Sequence, residues 1–153
     1  MKKFMQKRLK NEKGMTLIEL LAVIVILAII AAIAIPAIGN IIENSRYNAV
    51  KSDALNILSA AKIYSAENEV TVTIEKDDLD SYIENHGQFD AITYTIAKNG
   101  DGDLSLTATE VPTGNGNQKI SFSNASVKDI NDDPQKGSDG ELTTITGTAV
   151  TTP

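Results

Sequence analysis

The hydrophobic and polar positions along the chain change period twice. Residues 1–13 are basic and polar, and from Met15 to Ile35 only Thr16 and Glu19 are not apolar. A run of that length matches the roughly 20 residues a helix needs to cross a bilayer core. Past Pro36 and Gly39 the pattern becomes amphipathic. Tyr47, Val50, Ala54, Ile57, Ala61 and Tyr64 recur at spacings of three and four, which places them on one helical stripe. Leu55 and Leu58 widen the stripe, while Glu43, Arg46, Lys51, Asp53 and Lys62 fall mostly away from it. One helix from Thr16 to Glu67 would measure about 80 Å, apolar all round in its first half and one-sided in its second. The ring of Pro36 clashes with the carbonyl of Ala32 and its nitrogen donates nothing, so a kink is expected there.

Beyond Glu67 the period shortens to two. Val70, Val72 and Ile74 alternate with Thr71 and Thr73, which predicts a short strand or extended connector. Glu75 to Asn85 reads as a short helix with Leu79, Tyr82 and Ile83 inward. Ile92, Tyr94 and Ile96, then a turn from Asn99 to Asp103, then Leu104 and Leu106 form a hairpin pattern. Gly114 to Asn117 marks another turn before a third strand around Ile120 and Phe122. From Lys128 on, Asp, Asn, Gly and Thr dominate, and Leu142, Ile145 and Val150 are left to anchor a last strand. The expected fold class is α+β: a long N-terminal helix, kinked near Pro36, on a small three- or four-stranded antiparallel sheet. The sheet alone is thin in apolar residues, so the helical stripe must complete its core.

Charge separates the two ends. The whole chain carries −6, but residues 1–14 hold six basic side chains against the single acid Glu12. Without them the remainder has eight basic and nineteen acidic side chains, or −11 before termini. Basic residues ahead of an apolar span favour a cytoplasmic amino end and an exterior carboxyl end. An acidic exterior body repels nucleic acid phosphate, so direct nucleic acid binding by it is not expected. Glu19 is the anomaly within the apolar run. An acid at the centre of a membrane helix costs about 2.5–3.5 kcal/mol on insertion scales, so its retention there points to a partner.

Gly14, Met15, Thr16, Leu17, Ile18, Glu19 and Leu20 together resemble the processing and assembly motif of type IV pilins and their relatives. The resemblance implies a leader over 1–14 that a membrane aspartyl prepilin peptidase removes after Gly14, with N-methylation of the new terminus at Met15. It makes Glu19 the acid that guides assembly, with Thr16 beside it. Met15 stands where the family most often has Phe. The motif covers about the first third of the chain; the implied organisation is a filament-core helix over 15–35, its amphipathic continuation over 36–68 and a sheet domain over 69–153. Pro36 and Gly39 then become the positions at which the helix extends or bends on assembly. The implied role is a structural subunit of a surface filament, a homopolymer through its N-terminal helices, with the peptidase, an assembly ATPase and a platform protein as partners. It would reside in the membrane as a single-pass precursor, then in an extracellular filament. A pseudopilin of a competence or type II secretion apparatus is the near alternative, and adhesion, motility and DNA uptake stay open. The chain has no Cys, whereas many pilins of two-membrane bacteria close a C-terminal loop with a disulfide; this leans towards a one-membrane bacterium.

Two plainer readings compete. A basic region before an apolar stretch also describes a secretory signal peptide, and Ala32-Ile33-Ala34 offers a small-residue cleavage pattern. The run exceeds the roughly 7–15 residues of such a segment, and Glu19 gains no explanation from it. An uncleaved anchor carrying a binding module is the other. Catalysis is not expected: His86 is the only histidine, set beside Gly87 in a loop, and no nucleophile or phosphate-binding pattern surrounds it. No cofactor is expected beyond possible calcium. Asn99, Asp101, Asp103 and Glu110 imitate calcium-loop spacing, but Leu104 stands where the sharp-turn glycine is needed. Asp129, Asn131, Asp133 and Asp139, with Asp132 among them, form a second acidic loop and are the candidate calcium ligands.

Overall fold

The computed structural model describes residues 2–68, 73–98, 102–114, 118–139 and 141–147, with side chains from Thr16 onward. The chain divides into two compact units, Met1–Gly39 and Asn40–Pro153. Helix α1 runs over Lys2–Glu67 and contains Pro36; its first part makes up the described portion of the first unit.

The second unit is α+β. Strands β1 (Thr73–Glu75), β2 (Tyr94–Lys98), β3 (Leu104–Pro112), β4 (Lys119–Ser126) and β5 (Ile145–Thr146) form one sheet in sequential order. The first three pairings are antiparallel and β4 pairs with β5 in parallel, through Phe122 opposite Ile145. The hairpin joins Tyr94 to Ala108 and Lys98 to Leu104, as the alternation predicts. Five strands stand where the pattern suggests three or four. The last of them, the two-residue β5, falls at Ile145, one of the residues expected to anchor a last strand.

The stripe on α1 closes the core. Tyr47, Val50, Ala54, Ile57, Leu58 and Ala61 are buried and meet Ile74, Tyr94, Ile96, Leu106, Ile120 and Phe122 on one face of the sheet. Phe89, from a 3₁₀ turn at Gly87–Phe89, wedges between Tyr94 and Phe122 with centroids 5.9 and 5.6 Å away. In β3 and β4 the inward positions step by three, from Ala108 to Val111 and from Phe122 to Ala125. A strict alternation would turn one of each pair to solvent. Pairing is irregular on both sides of Ala108, and Glu110 and Asn124 take left-handed backbone with φ of 55° and 49°. The extra residues restore the inward facing of Val111 and Ala125. Asn tolerates this conformation; Glu holds it less readily.

Two local readings change. Glu75 to Asn85 is not a helix of that span but a 3₁₀ turn, Lys76–Leu79, followed by turns. The Asp78 carboxylate accepts from the Glu75 N–H at 2.9 Å and caps the start of the 3₁₀ turn. Leu79 is buried as expected, with Ile83 packed partly against the core. After β4 a short helix α2 (Val127–Asp132) appears where only loop composition is visible. Its start is capped reciprocally: Ser126 Oγ accepts from the Asp129 N–H at 3.3 Å and the Asp129 carboxylate accepts from the Ser126 N–H at 2.9 Å.

Polar residues flanking the stripe tie loops to the helix. Tyr47 Oη donates to Asp133, and Lys51 Nζ lies 3.3 Å from the same carboxylate. Asn44 accepts from the Ser138 N–H at 2.9 Å. Between them Gly137 lies so close to the helix that a Cβ there would stand 2.1 Å from the Glu43 carbonyl oxygen. On the other flank Asp53 accepts from the Gln88 N–H at 3.0 Å, and Arg46 donates to the Gly114 carbonyl.

Burial works against the charge on Asp133, but the hydrogen bonds from Tyr47 and Gln135 and the charge of Lys51 outweigh it and hold its carboxyl below the ordinary range. A carboxylate favoured in the folded state adds stability above its unfolded value, about 3.9, and loses it as pH falls toward the depressed one. Asp133→Asn is therefore expected to cost roughly 1.5–3 kcal/mol at neutral pH. The difference from the parent should shrink as pH drops below about 4. Thermal melts of the detergent-solubilised full chain at a series of pH values check this; a difference that stays constant into acid refutes the assignment.

Candidate assembly site on the N-terminal helix

The apolar run is helical in the first unit because a helix satisfies its backbone groups internally, whatever surrounds its side chains. None of those side chains is buried in the fold. Ile24, Val25, Ile26 and Leu27 are consecutive, so they point about 100° apart around the helix, and each is 50–57% exposed. Every face of this segment is therefore open. Leu17, Ile18, Ile33 and Ile35 are 66–72% exposed. The stretch is long and apolar enough to cross a membrane. Covering one such side chain is worth about 1.5–3 kcal/mol, so the segment requires lipid or other protein around it.

Glu19 and Thr16 are exposed on this helix. Glu19 follows Met15 by four residues, about one helical turn along the backbone. Gly14 and Met15 continue the helical backbone; the side chain of Met15 is outside the described residues. Pro36 removes the N–H that would bond to the Ala32 carbonyl. At Gly39 an added Cβ would meet nothing within 4 Å. The glycine is not demanded by packing.

The candidate calcium residues do not converge. Asp129 is bound to Ser126, which as the first cause pulls its carboxyl below the ordinary range. Asp133 serves Tyr47, Lys51 and Gln135. Asn131 donates to the Val127 carbonyl at 2.9 Å and Asp139 accepts from the Lys136 N–H at 2.8 Å. Among the described residues no three His, Cys, Asp or Glu side chains group to hold a metal. In the other acidic stretch Asn99 and Asp101 lie outside the described residues, and Glu110 faces Lys119 at 3.0 Å. His86 does sit in a loop, yet it is buried: its Nδ1 is 2.6 Å from Tyr94 Oη and its Nε2 3.2 Å from Asp80. Burial, then the Asp80 charge, pushes the Tyr94 hydroxyl well above the ordinary tyrosine range. The cluster is a hydrogen-bonded part of the core.

The polar tethers Asn44, Arg46, Lys51 and Asp53 are the positions that pattern reading passes over. Their one signal is placement beside the apolar stripe, where a long or forked side chain reaches a loop.

Residues 9–35 match the family described as the prokaryotic N-terminal methylation motif. No curated protein and no solved structure matches the chain. The match spans the Gly14–Met15 junction, Glu19 and the apolar run. The chain thus carries the prokaryotic N-terminal methylation motif at the head of an exposed, membrane-length helix.

Proposed function

We propose that the chain is a structural subunit of a type IV pilus, inserted in the membrane as a precursor, cleaved after Gly14 and polymerised through its apolar helix. The observation that carries this is the all-round exposure of the apolar helix together with Glu19 and a methylation motif in register with both. A membrane anchor needs the apolar length but has no use for the acid. A polymerising helix uses both: lipid covers it before assembly and neighbouring helices cover it afterwards. Prepilin peptidase, an assembly ATPase and a platform protein are the partners this route requires.

Within one subunit Glu19 offsets the new amine at Met15 and the positive end of the helix dipole. In a growing filament the Met15 amine of a neighbour takes its place. Glu19→Ala is expected to leave membrane insertion intact and to reduce sheared filament at least tenfold; normal filament numbers from the mutant as sole copy refute the pairing.

Mass spectrometry of sheared, pelleted filaments should show a chain beginning at N-methylated Met15. A chain beginning at Met1 or just after Ala34, and absent from the pellet, overturns the reading in favour of an anchored or secreted module. Filament length separates a pilus from the short fibre of a secretion or competence apparatus. Pro36 and Gly39 give the helix a place to extend on assembly. Pro36→Ala should therefore alter filament rise or elasticity, measured by electron microscopy and single-filament pulling, and unchanged values assign Pro36 a static role.

A further inference from the structure

In the second unit, a cleft of about 430 Å³ opens between α1, the β2–β3 hairpin and the start of α2. Leu58, Leu104 and Val127 give it apolar walls, and Lys62 and Lys128 stand on it, with Asp103 the one acid. Val127 is 47% exposed, an apolar side chain left open beside a charge. Lys62 makes no ion pair among the described residues, and Lys128 only an exposed one to Asp132 at 3.6 Å. Exposed pairs of that kind are worth little and exchange readily. In a body with a large excess of acid, a cleft with two lysines to one carboxylate is conspicuous.

The opposite flank of the same helix is acidic. At about 100° per residue, Lys62 and Tyr64 lie about 160° apart around α1. Tyr64 packs edge-on to Tyr82 at 5.5 Å, and Asp53 holds the backbone of Gln88. The connector from Glu75 to Asp90 is thereby fixed along that side. It presents Asp77, Asp80 and Glu84 to solvent, while its one lysine, Lys76, donates to the Asp90 carbonyl. The two features sit on opposite sides of one body, so neither can satisfy the other within a chain.

We propose that the acidic connector of one copy, led by Asp77, docks into the Lys62–Lys128 cleft of the next. Two different, complementary flanks make a head-to-tail contact, and such a contact propagates as an open helical array unless its rotation closes a ring. This inference rests on the filament reading above and names the contact between neighbouring bodies within it. Apolar helices bind one another with little directional preference; this contact supplies rotational register, and its charges make it salt-sensitive.

Because the chain has no Cys, cross-linking tests it without background. Full-length chains carrying Lys62→Cys with Asp77→Cys, or Lys128→Cys with Asp77→Cys, are expressed as sole copy, and sheared filaments are oxidised mildly. A ladder of covalent multimers is expected from at least one pair, with each single-Cys chain staying monomeric. Covalent dimers from Lys62→Cys alone mean a symmetric contact and overturn the proposal. So does monomer from both pairs in filaments whose chains begin at methylated Met15, an outcome that leaves the filament reading standing. A conjugate to a different protein assigns the cleft to that protein and also overturns it. Parent chain absent from the pellet removes the filament reading and this contact with it.

Discussion

Among the described residues the sheet has one apolar face and no second sheet to cover it, and the rest of the second unit follows from that constraint. Strands β2, β3 and β4 bring Tyr94, Ile96, Leu106, Ile120 and Phe122 to one side, and the answering surface is the Tyr47–Val50–Ala54–Ile57–Ala61 stripe of α1. Remove the stripe and the inward residues face water; remove the sheet and the stripe does. Small residues alternate with large ones along it. Ala54 and Ala61 let the helix approach, while Tyr47 and Ile57 fill the gaps at either side. Even the bulges at Glu110 and Asn124 serve this face, since they return Val111 and Ala125 to it after an odd step.

Apolar contact alone does not fix where the loops lie. The polar tethers do. Tyr47 is both core and tether: its ring is buried and its hydroxyl reaches Asp133, where Lys51 supplies the countercharge. Burial pushes the Tyr47 hydroxyl far above the ordinary tyrosine range, and its bond to the Asp133 carboxylate adds to that shift. The hydroxyl therefore stays a donor across physiological pH. Gly137 allows the same loop to lie on the Glu43 carbonyl without a side chain intervening. The acidic composition of this C-terminal stretch thus has a structural use: Asp129 caps α2, Asp133 fastens the loop to α1 and Asp139 closes a turn.

What the sequence disclosed tracks periodicity. The stripe on α1, the Tyr94–Lys98 and Leu104–Pro112 hairpin and the strand at Ile120 and Phe122 were legible because a repeated spacing marks each of them. Elements too short to repeat were not. α2 announces itself only through Ser126 and Asp129 three apart, a signal that its polar surroundings conceal; the two-residue β5 is the exception, expected through Ile145 as the anchor of a last strand. Glu75 to Asn85 has helical spacing at Leu79, Tyr82 and Ile83, yet only Lys76–Leu79 closes as a 3₁₀ turn, and His86 beyond it is tied to Tyr94. The candidate assembly site is a reading of the sequence almost entirely, since a single acid in an apolar run needs no fold to be seen. The cleft at Lys62 and Lys128 was not, because its residues are far apart in sequence and only the packing of α1 beside β3 and α2 unites them.

The proposed assembly divides labour between two kinds of force. In it, burial of Leu17 to Ile35 among neighbouring helices would supply most of the affinity, because it scales with area. Area is nearly blind to axial position: sliding one uniformly apolar helix along another exchanges one isoleucine for the next at little cost. A single carboxylate breaks that degeneracy. At 4 Å and an effective dielectric of 20, a pair of opposite charges is worth about 4 kcal/mol, and far less once a slip of one turn separates them. Glu19 is the only charged side chain between Lys13 and Glu43. With one acid and one new amine per helix, one stagger satisfies both, and any other leaves a charge buried without a partner, which costs more than the pair itself contributes. In the proposed filament, the uniformity of the apolar run would therefore make Glu19 decisive: the fewer other features the helix offers, the more completely one charge would set the register.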